Sequence, residues 1–212
     1  FSGTIQNRTY IIQEYIEGTY PSEEWYRNNI KQVANIIKKY HTSNELYADL
    51  ALNRQTDYLK HVTLSLEEAE DYLKDIDSKL LDKNDLYEKI KLLKSNVKTL
   101  GIQKMVPIHA DPNPTNFLIV GDSLFMVDWD DITLSDEMRD ISLLLGKYIP
   151  KDSWDLFFKE YGVSFKEIEK RFYFWQARGS LFIALWFANR NDEKYTPEFL
   201  SEFYQALNLF LS

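Results

Sequence analysis

Two short apolar runs, residues 116–120 (NFLIV) and 124–128 (LFMVD), are separated by Gly121-Asp122-Ser123. Runs of this length and composition around a glycine-containing turn close as a β-hairpin. In such a hairpin the start of the first run lies opposite the end of the second. Asn116 and Asp128 are therefore brought together in space although they are distant in sequence. An amide oxygen beside a carboxylate is a hard-oxygen pair of the kind Mg²⁺ takes, the ion keeping waters and drawing further ligands from phosphates. Asp111 lies upstream in a loop whose course Pro112 and Pro114 restrict, and a carboxylate there can accept a proton from a substrate hydroxyl. His109 adds a fourth polar group among apolar strands.

The rest of the chain is mostly helical by its periodicity. Residues 4–6 and 10–16 read as strands around an Asn7-Arg8 turn, and Gly18 and Pro21 punctuate. Ser22 can cap a helix whose apolar stripe is Tyr26, Ile30, Val33, Ile37 and Tyr40. Residues 41–64 lack a clear period and read as a loop with helical fragments. Leu66, Ala69, Leu73, Ile76 and Leu80 mark one helix; Leu86, Ile90, Leu93, Val97 and Leu100 mark another. The turn Asp82-Lys83-Asn84 predicts that the two pair as an antiparallel hairpin. A strand is expected at 104–108, and helices at about 136–147, 152–161, 165–191 and 197–211. Thr196 before Pro197 reads as a cap followed by a proline in the first helical position. The fold class is α+β, mostly helical.

Composition removes several alternatives. The chain has no Cys, which excludes a disulfide scaffold, thiolate metal sites and a Cys nucleophile, and fits a reducing cytoplasm. His41, His61 and His109 do not have the spacing of a zinc hydrolase. A calcium loop starting at Asp128 fails because its sixth and twelfth positions are Thr133 and Arg139 rather than Gly and Glu. His41 and His61 read as ordinary helix-end or surface residues. No run is long and apolar enough for a membrane span and no secretory leader is visible, so neither is expected. A net charge of −8 argues against bulk nucleic-acid binding. With Asp130, Asp131, Asp136 and Glu137 clustered after the hairpin, it favours a cationic small-molecule partner. Phe172, Trp175, Gly179, Phe182 and Trp186 recur at helical spacing and read as a core stripe, with the glycine permitting close helix contact. Tyr173, Phe187 and Tyr204 lie off that stripe and are the aromatics left for a cation cage.

The layout His109-Ala110-Asp111-Pro112-Asn113-Pro114-Thr115-Asn116, then Val127-Asp128-Trp129-Asp130-Asp131, then Arg139-Asp140-Ile141, resembles the aminoglycoside phosphotransferase and choline kinase-like family of the protein-kinase-like fold. In that family the first stretch reads much like His-Gly-Asp-x-x-Pro-x-Asn and the second like Ile-Asp-Trp-Glu-Asp. The resemblance implies that Asp111 is the catalytic base, that Asn116 and Asp128 hold Mg²⁺, and that His109 and Asp140 brace the loop. Gln13-Glu14-Tyr15-Ile16-Glu17-Gly18 resembles the hinge between kinase lobes, where the Glu14 carbonyl and the Ile16 amide would meet adenine. Asp130 and Asp131 read either as contacts to a cationic substrate or as solvated side chains.

The implied molecule is a kinase C-lobe over 19–212, carrying its loops at 105–131, with remnant N-lobe strands and hinge over 1–18. Its implied activity is ATP- and Mg²⁺-dependent phosphoryl transfer to a hydroxyl of a small molecule, such as a cationic aminoglycoside, aminocyclitol or choline. Such a site also needs a Gly-rich phosphate cover and a strand-borne Lys. The seven glycines form no such cluster, and little chain precedes Glu14. The expectation is thus either a fragment of a longer enzyme or a non-catalytic, pseudokinase-like binding module. An N-terminal hairpin with an open edge is expected to pair with a copy of itself.

Overall fold

The computed structural model describes residues 14–52 and 56–212 in full, and the backbone of Ser2–Ile5 and Arg8–Ile11. Strands β1 (Ser2–Ile5) and β2 (Arg8–Ile11) form an antiparallel hairpin running from Ser2 opposite Ile11 to Ile5 opposite Arg8. The Asn7 turn position and Gln13 lie outside the described residues. The second strand is described over Arg8–Ile11, the expected stretch at 12–13 lies outside the described residues, and Glu14–Gly18 is irregular rather than strand. Thr19 then exchanges backbone hydrogen bonds of 3.1 and 2.8 Å with Ile119. Gly18 makes that approach possible, because a Cβ there would sit 2.9 Å from the Ile119 carbonyl oxygen.

Helix α1 (Glu23–His41) begins as expected, with Ser22 Oγ accepting from the Trp25 N–H at 3.1 Å. Its stripe Tyr26, Ile30, Val33, Ile37 and Tyr40 is buried throughout. The segment read as loop holds α2 (Asn44–Ala51) and the first turns of α3 (Tyr58–Asp75), which Asp57 caps through the Lys60 N–H. The apolar stripe of α3 does reach back to Tyr58 and Val62, but His61 and Ser65 on the same turns are polar and obscure the period. Helix α4 (Lys83–Asn96) packs against α3, with Lys94 on Glu70. Their connection is Ile76–Asp82, so Leu80 lies outside both helices and Asp82 caps α4 rather than sitting in the turn.

Strand β3 (Val106–Ile108) pairs antiparallel with β6 (Thr133–Ser135), a three-residue strand that is too short to leave a sequence pattern. Between them β4 (Phe117–Val120) and β5 (Ser123–Met126) form the expected hairpin, Phe117 opposite Met126 and Val120 opposite Ser123. Gly121 takes the left-handed conformation (φ +58°) that its two-residue turn requires.

Helices α5 (Glu137–Lys147), α6 (Trp154–Tyr161), α7 (Phe165–Ala188) and α8 (Tyr195–Leu211) complete the chain. α7 lies along α8 and α5, and α6 lies against α1. Phe172, Phe174, Leu181 and Leu185 of α7 are fully buried; each such side chain contributes about 1.5–3 kcal/mol through removal from water. Gly146 faces Gln176, whose amide nitrogen would lie 2.6 Å from an added Cβ, so the α5–α7 contact has no room for a side chain there. Thr196 is not the α8 cap. It is buried with its hydroxyl unpartnered, and Asp192 instead accepts from the N–H groups of Lys194 and Tyr195. An Asp three residues before Tyr195 satisfies these orphan donors better than a hydroxyl already inside the helix.

Candidate active site

The loop leaving β3 is held at its start by one carboxylate. Asp140, on α5 and fully buried, accepts from the backbone N–H groups of His109 and Ala110, both at 2.8 Å. It also accepts from Tyr40 Oη at 2.7 Å and faces His41 Nε2 at 3.3 Å. Burial alone would push this carboxyl up, but the hydrogen bonds from His41, Tyr40 and the His109 backbone outweigh it and hold the group below its ordinary value. His41 in turn meets Tyr161, and Tyr161 meets Glu137. This brace fixes an unfavourable backbone: Ala110 has φ +73°, a left-handed conformation at the position where the resembling motif carries glycine.

His109 is buried and donates from Nε2 to the Val127 carbonyl at 2.9 Å. That bond sets the tautomer, so Nδ1 is the acceptor facing the Asp111 N–H at 3.4 Å. The His109 ring packs on Trp129 (centroids 4.7 Å apart), and Trp129 also meets Tyr40. Asp111 Oδ2 accepts from Asn113 Nδ2 at 2.9 Å and from Asn116 Nδ2 at 3.3 Å, which leaves Oδ1 unpartnered.

Asn116 ends a short 3₁₀ turn, Pro114–Asn116, and its amide nitrogen also donates to the Asp111 carbonyl at 2.8 Å. The amide oxygen is therefore turned away from Asp111. Across the hairpin, the Val127 N–H donates to the Asn116 carbonyl at 2.9 Å, which puts Asp128 one residue past the point of contact. Asp128 takes φ +63°, is exposed, and its carboxylate has no hydrogen bond or ion pair among the described residues. A carboxylate and an amide oxygen flanking the open end of the hairpin, neither with a partner among the described residues, fit an ion that takes few protein ligands, as Mg²⁺ does. Among the described residues no group of three His, Asp or Glu side chains surrounds a common point, which does not fit a zinc-type cage.

Asp111 and Ala110 open onto a cavity of about 710 Å³. Its other walls come from α3 (His61, Leu64, Ser65, Glu68), from Asp131, Thr133 and Leu134, from Arg139, and from α7 (Trp175, Arg178, Gly179, Phe182, Trp186). His61, bonded to Ser135 Oγ at 2.7 Å, is pushed down to about 4 by burial and by the charges of Arg139 and Arg178.

The structure thus brings Asp111, Asn116, His109, Asp140 and Asp131 to one region and leaves other expected residues apart. Asp130 is exposed and does not line the cavity. Asp136, offered to a cationic partner by its sequence neighbourhood, is buried and committed to Tyr58, Arg171 and the Met138 N–H. Glu137 is tied to Arg171 and Tyr161. Glu14 and Ile16 belong to the irregular segment before the Thr19 bridge, Glu14 exposed and Ile16 half-buried.

The aromatic stripe is core only in part: Phe172 and Trp175 are buried in the core as expected. Trp175, Gly179, Phe182 and Trp186 form cavity wall, and nothing lies within 4 Å of a Cβ built on Gly179, so that glycine makes space rather than helix contact. Tyr173 is buried, Phe187 packs on Phe199 and Tyr195, and Tyr204 bonds Asp85; none of them lines the cavity. Helical period cannot distinguish a stripe that meets another helix from one that meets a void. Of the two histidines read as ordinary helix-end or surface residues, His41 does end α1 but is buried as a loop brace, and His61, within α3, is a cavity wall. Their signal was their placement on helical faces that packing alone defines.

The chain is 26% identical to the LicA homolog of Mycoplasma capricolum over 138 residues, 64% of this chain, and spans about half (50%) of that curated relative's length. Its fold is similar to that of choline kinase LicA from Streptococcus pneumoniae (TM-score 0.72, 16% identity, 92% of this chain and 69% of that one). It is similar also to wild-type aminoglycoside 2'-phosphotransferase-IIIa solved with GDP (TM-score 0.61, 18% identity, 92% of this chain and 69% of that one). These likenesses establish a protein-kinase-like fold. The model of the phosphotransferase enzyme family, APH, matches residues 2–180, and the chain belongs to that family.

Proposed function

We propose that the protein carrying this chain transfers the terminal phosphoryl group of ATP to a hydroxyl of a small molecule. The observation that carries the reading is Asp111 on the wall of the cavity, its Oδ1 without a partner among the described residues and its Oδ2 held by Asn113 and Asn116. The acceptor hydroxyl enters from the cavity and gives its proton to Asp111. Asn113 and Asn116 hold that carboxylate in place through its other oxygen. Asn116 and Asp128 would hold Mg²⁺, which neutralises phosphate charge when bound. The Glu14 carbonyl and the Ile16 amide are assigned to the adenine edge. Positioning and charge compensation supply most of the rate in such chemistry, which suits a rigidly braced loop. The names of the relatives, choline kinase and aminoglycoside phosphotransferase, are in keeping with a small-molecule acceptor.

Steady-state turnover of the full-length protein tests the reading. Asp111→Asn is expected to lower kcat by about 10²–10⁴ with little change in folding. Turnover within about twofold of the wild type would remove Asp111 from the role of base.

A further inference from the structure

We infer that Glu137 and Tyr161 are positioning residues for the Asp111 loop: together they hold His41 with protons on both ring nitrogens, a buried cation that faces Asp140. The step from that cation to Asp111 rests on the reading above, in which the loop braced by Asp140 carries the base. Glu137, Tyr161 and His41 do not line the cavity, so the role is exerted through Asp140. Arg171, Glu137, Tyr161, His41 and Asp140 stand in one line, drawn from α7, α5, α6 and α1. Arg171 Nη2 holds Glu137 Oε1 at 3.2 Å, and Glu137 Oε2 lies 3.1 Å from Tyr161 Oη. An ionised carboxylate only accepts, so the single hydroxyl proton of Tyr161 lies in that contact. The Tyr161 oxygen then has only lone pairs left for His41 Nδ1, 2.8 Å away, and Nδ1 must bring the proton.

On the other side of the ring, His41 Nε2 stands 3.3 Å from Asp140 Oδ2. Asp140 already accepts from Tyr40 Oη and from the N–H groups of His109 and Ala110, and a carboxyl with these donors stays ionised. Nε2 is therefore a donor as well. Either neutral tautomer would set one lone pair against another, at Tyr161 or at Asp140. His41 is 2% exposed, so water cannot relieve that contact. The surroundings agree. Burial and the neighbouring Glu137 push the Tyr161 hydroxyl well above the usual tyrosine range, and burial and Asp140 do the same to Tyr40, so both keep their protons. Asp136, Glu137 and Asp140 place their carboxylates at the cap and first turn of α5. Arg171 answers Asp136 and Glu137, while Arg139 feels the charge of Asp140 but is turned to the Trp175 ring. A cationic His41 answers Asp140. The ionised Asp140 then holds the His109 and Ala110 N–H groups through charge-assisted bonds, which fix the left-handed Ala110 immediately before Asp111.

Proton–nitrogen correlation NMR of the full-length protein at neutral pH, with nitrogen-labelled histidine rings, reads the protonation directly; the His41 signals are those lost in His41→Gln. Both His41 ring nitrogens are expected to be protonated in the wild type. Glu137→Gln keeps an amide oxygen for Arg171 and turns N–H donors towards Tyr161, which then gives its own proton to Nδ1. His41 should keep a single proton there, on Nε2, and kcat should fall by about tenfold or more with KM nearly unchanged. Tyr161→Phe removes the acceptor of Nδ1 outright and should also leave one proton, so it serves if Glu137→Gln does not fold. The inference is overturned if a wild-type His41 nitrogen is unprotonated or if the folded variant keeps both protons. Turnover within about twofold of the wild type, in a variant that has lost the proton, would overturn the positioning role. A doubly protonated His41 in a full-length protein that transfers no phosphoryl group would uphold the proton assignment and sink the kinase reading. A neutral His41 in an active kinase would do the reverse.

Discussion

In the loop from His109 to Asn116 the buried polar atoms have partners: Asp140 takes two backbone N–H groups, His109 reaches Val127, and Asn116 reaches Asp111. Across the cavity, Arg178 keeps a buried Nε with no partner, and Gly179 leaves space that no side chain fills. The first region spends its hydrogen bonds on holding one geometry. The second leaves donors and volume for something that is not part of the chain. On the proposed reading, the braced loop would hold the reacting groups, which need preorganisation, and the cavity wall would receive the acceptor.

The largest expected effect lies in the loop. Asp140→Asn removes the charge and replaces one of the two oxygens that serve His109, Ala110 and Tyr40 by an amide donor, and breaking a buried network of this kind costs about 3–5 kcal/mol. Urea denaturation measures it, and a loss below about 1 kcal/mol would mean that Trp129 packing rather than Asp140 holds the loop. The sign with pH follows from the depressed carboxyl. Its stabilisation is fully present above the unfolded value of about 3.9 and is lost as pH falls through the lower folded value, so the wild-type advantage over Asp140→Asn should shrink in acid.

A smaller effect, of mixed sign, is expected on the cavity side. Gly179→Leu gains helix propensity of up to about 1 kcal/mol while filling open cavity. The melting temperature should rise, and KM for the acceptor should increase by about tenfold with kcat nearly unchanged. Unaltered KM would show that the acceptor does not use the α7 wall. The smallest effect returns to the loop. Ala110→Gly relieves a left-handed alanine, worth about 1–2 kcal/mol, against a loss of about 0.5–1 kcal/mol from the freer unfolded chain. Thermal unfolding should show a net gain of about 1 kcal/mol or less. A destabilised variant would mean that the Ala110 methyl packs in a way the backbone strain argument neglects.

Much of the loop region could be read from the sequence because its determinants are local. The turn at Gly121 and the two apolar runs set the hairpin, and the hairpin register alone brings Asn116 alongside Val127 and Asp128. Asp111 follows from its short, proline-bounded distance to Asn116. By contrast, β6 leaves no mark because a three-residue strand has no period, and α3 begins earlier than its apolar stripe suggests because His61 and Ser65 interrupt it with polar groups, His61 finding its partner in the distant Ser135.

By itself the sequence determined much of the helical order and the hairpin that brings the candidate residues together, since each depends on spacings of a few residues and on the conformations those residues prefer. Only the tertiary structure decided that His41 and Tyr40 brace Asp140, that Asp136 is spent on Arg171 and Tyr58, and that the α7 stripe faces a void. Those assignments turn on how helices far apart in the chain dock. A 3.6-residue period says that a face is covered or apolar, and it carries no information on whether the neighbour is a second helix, a buried carboxylate or an open cavity.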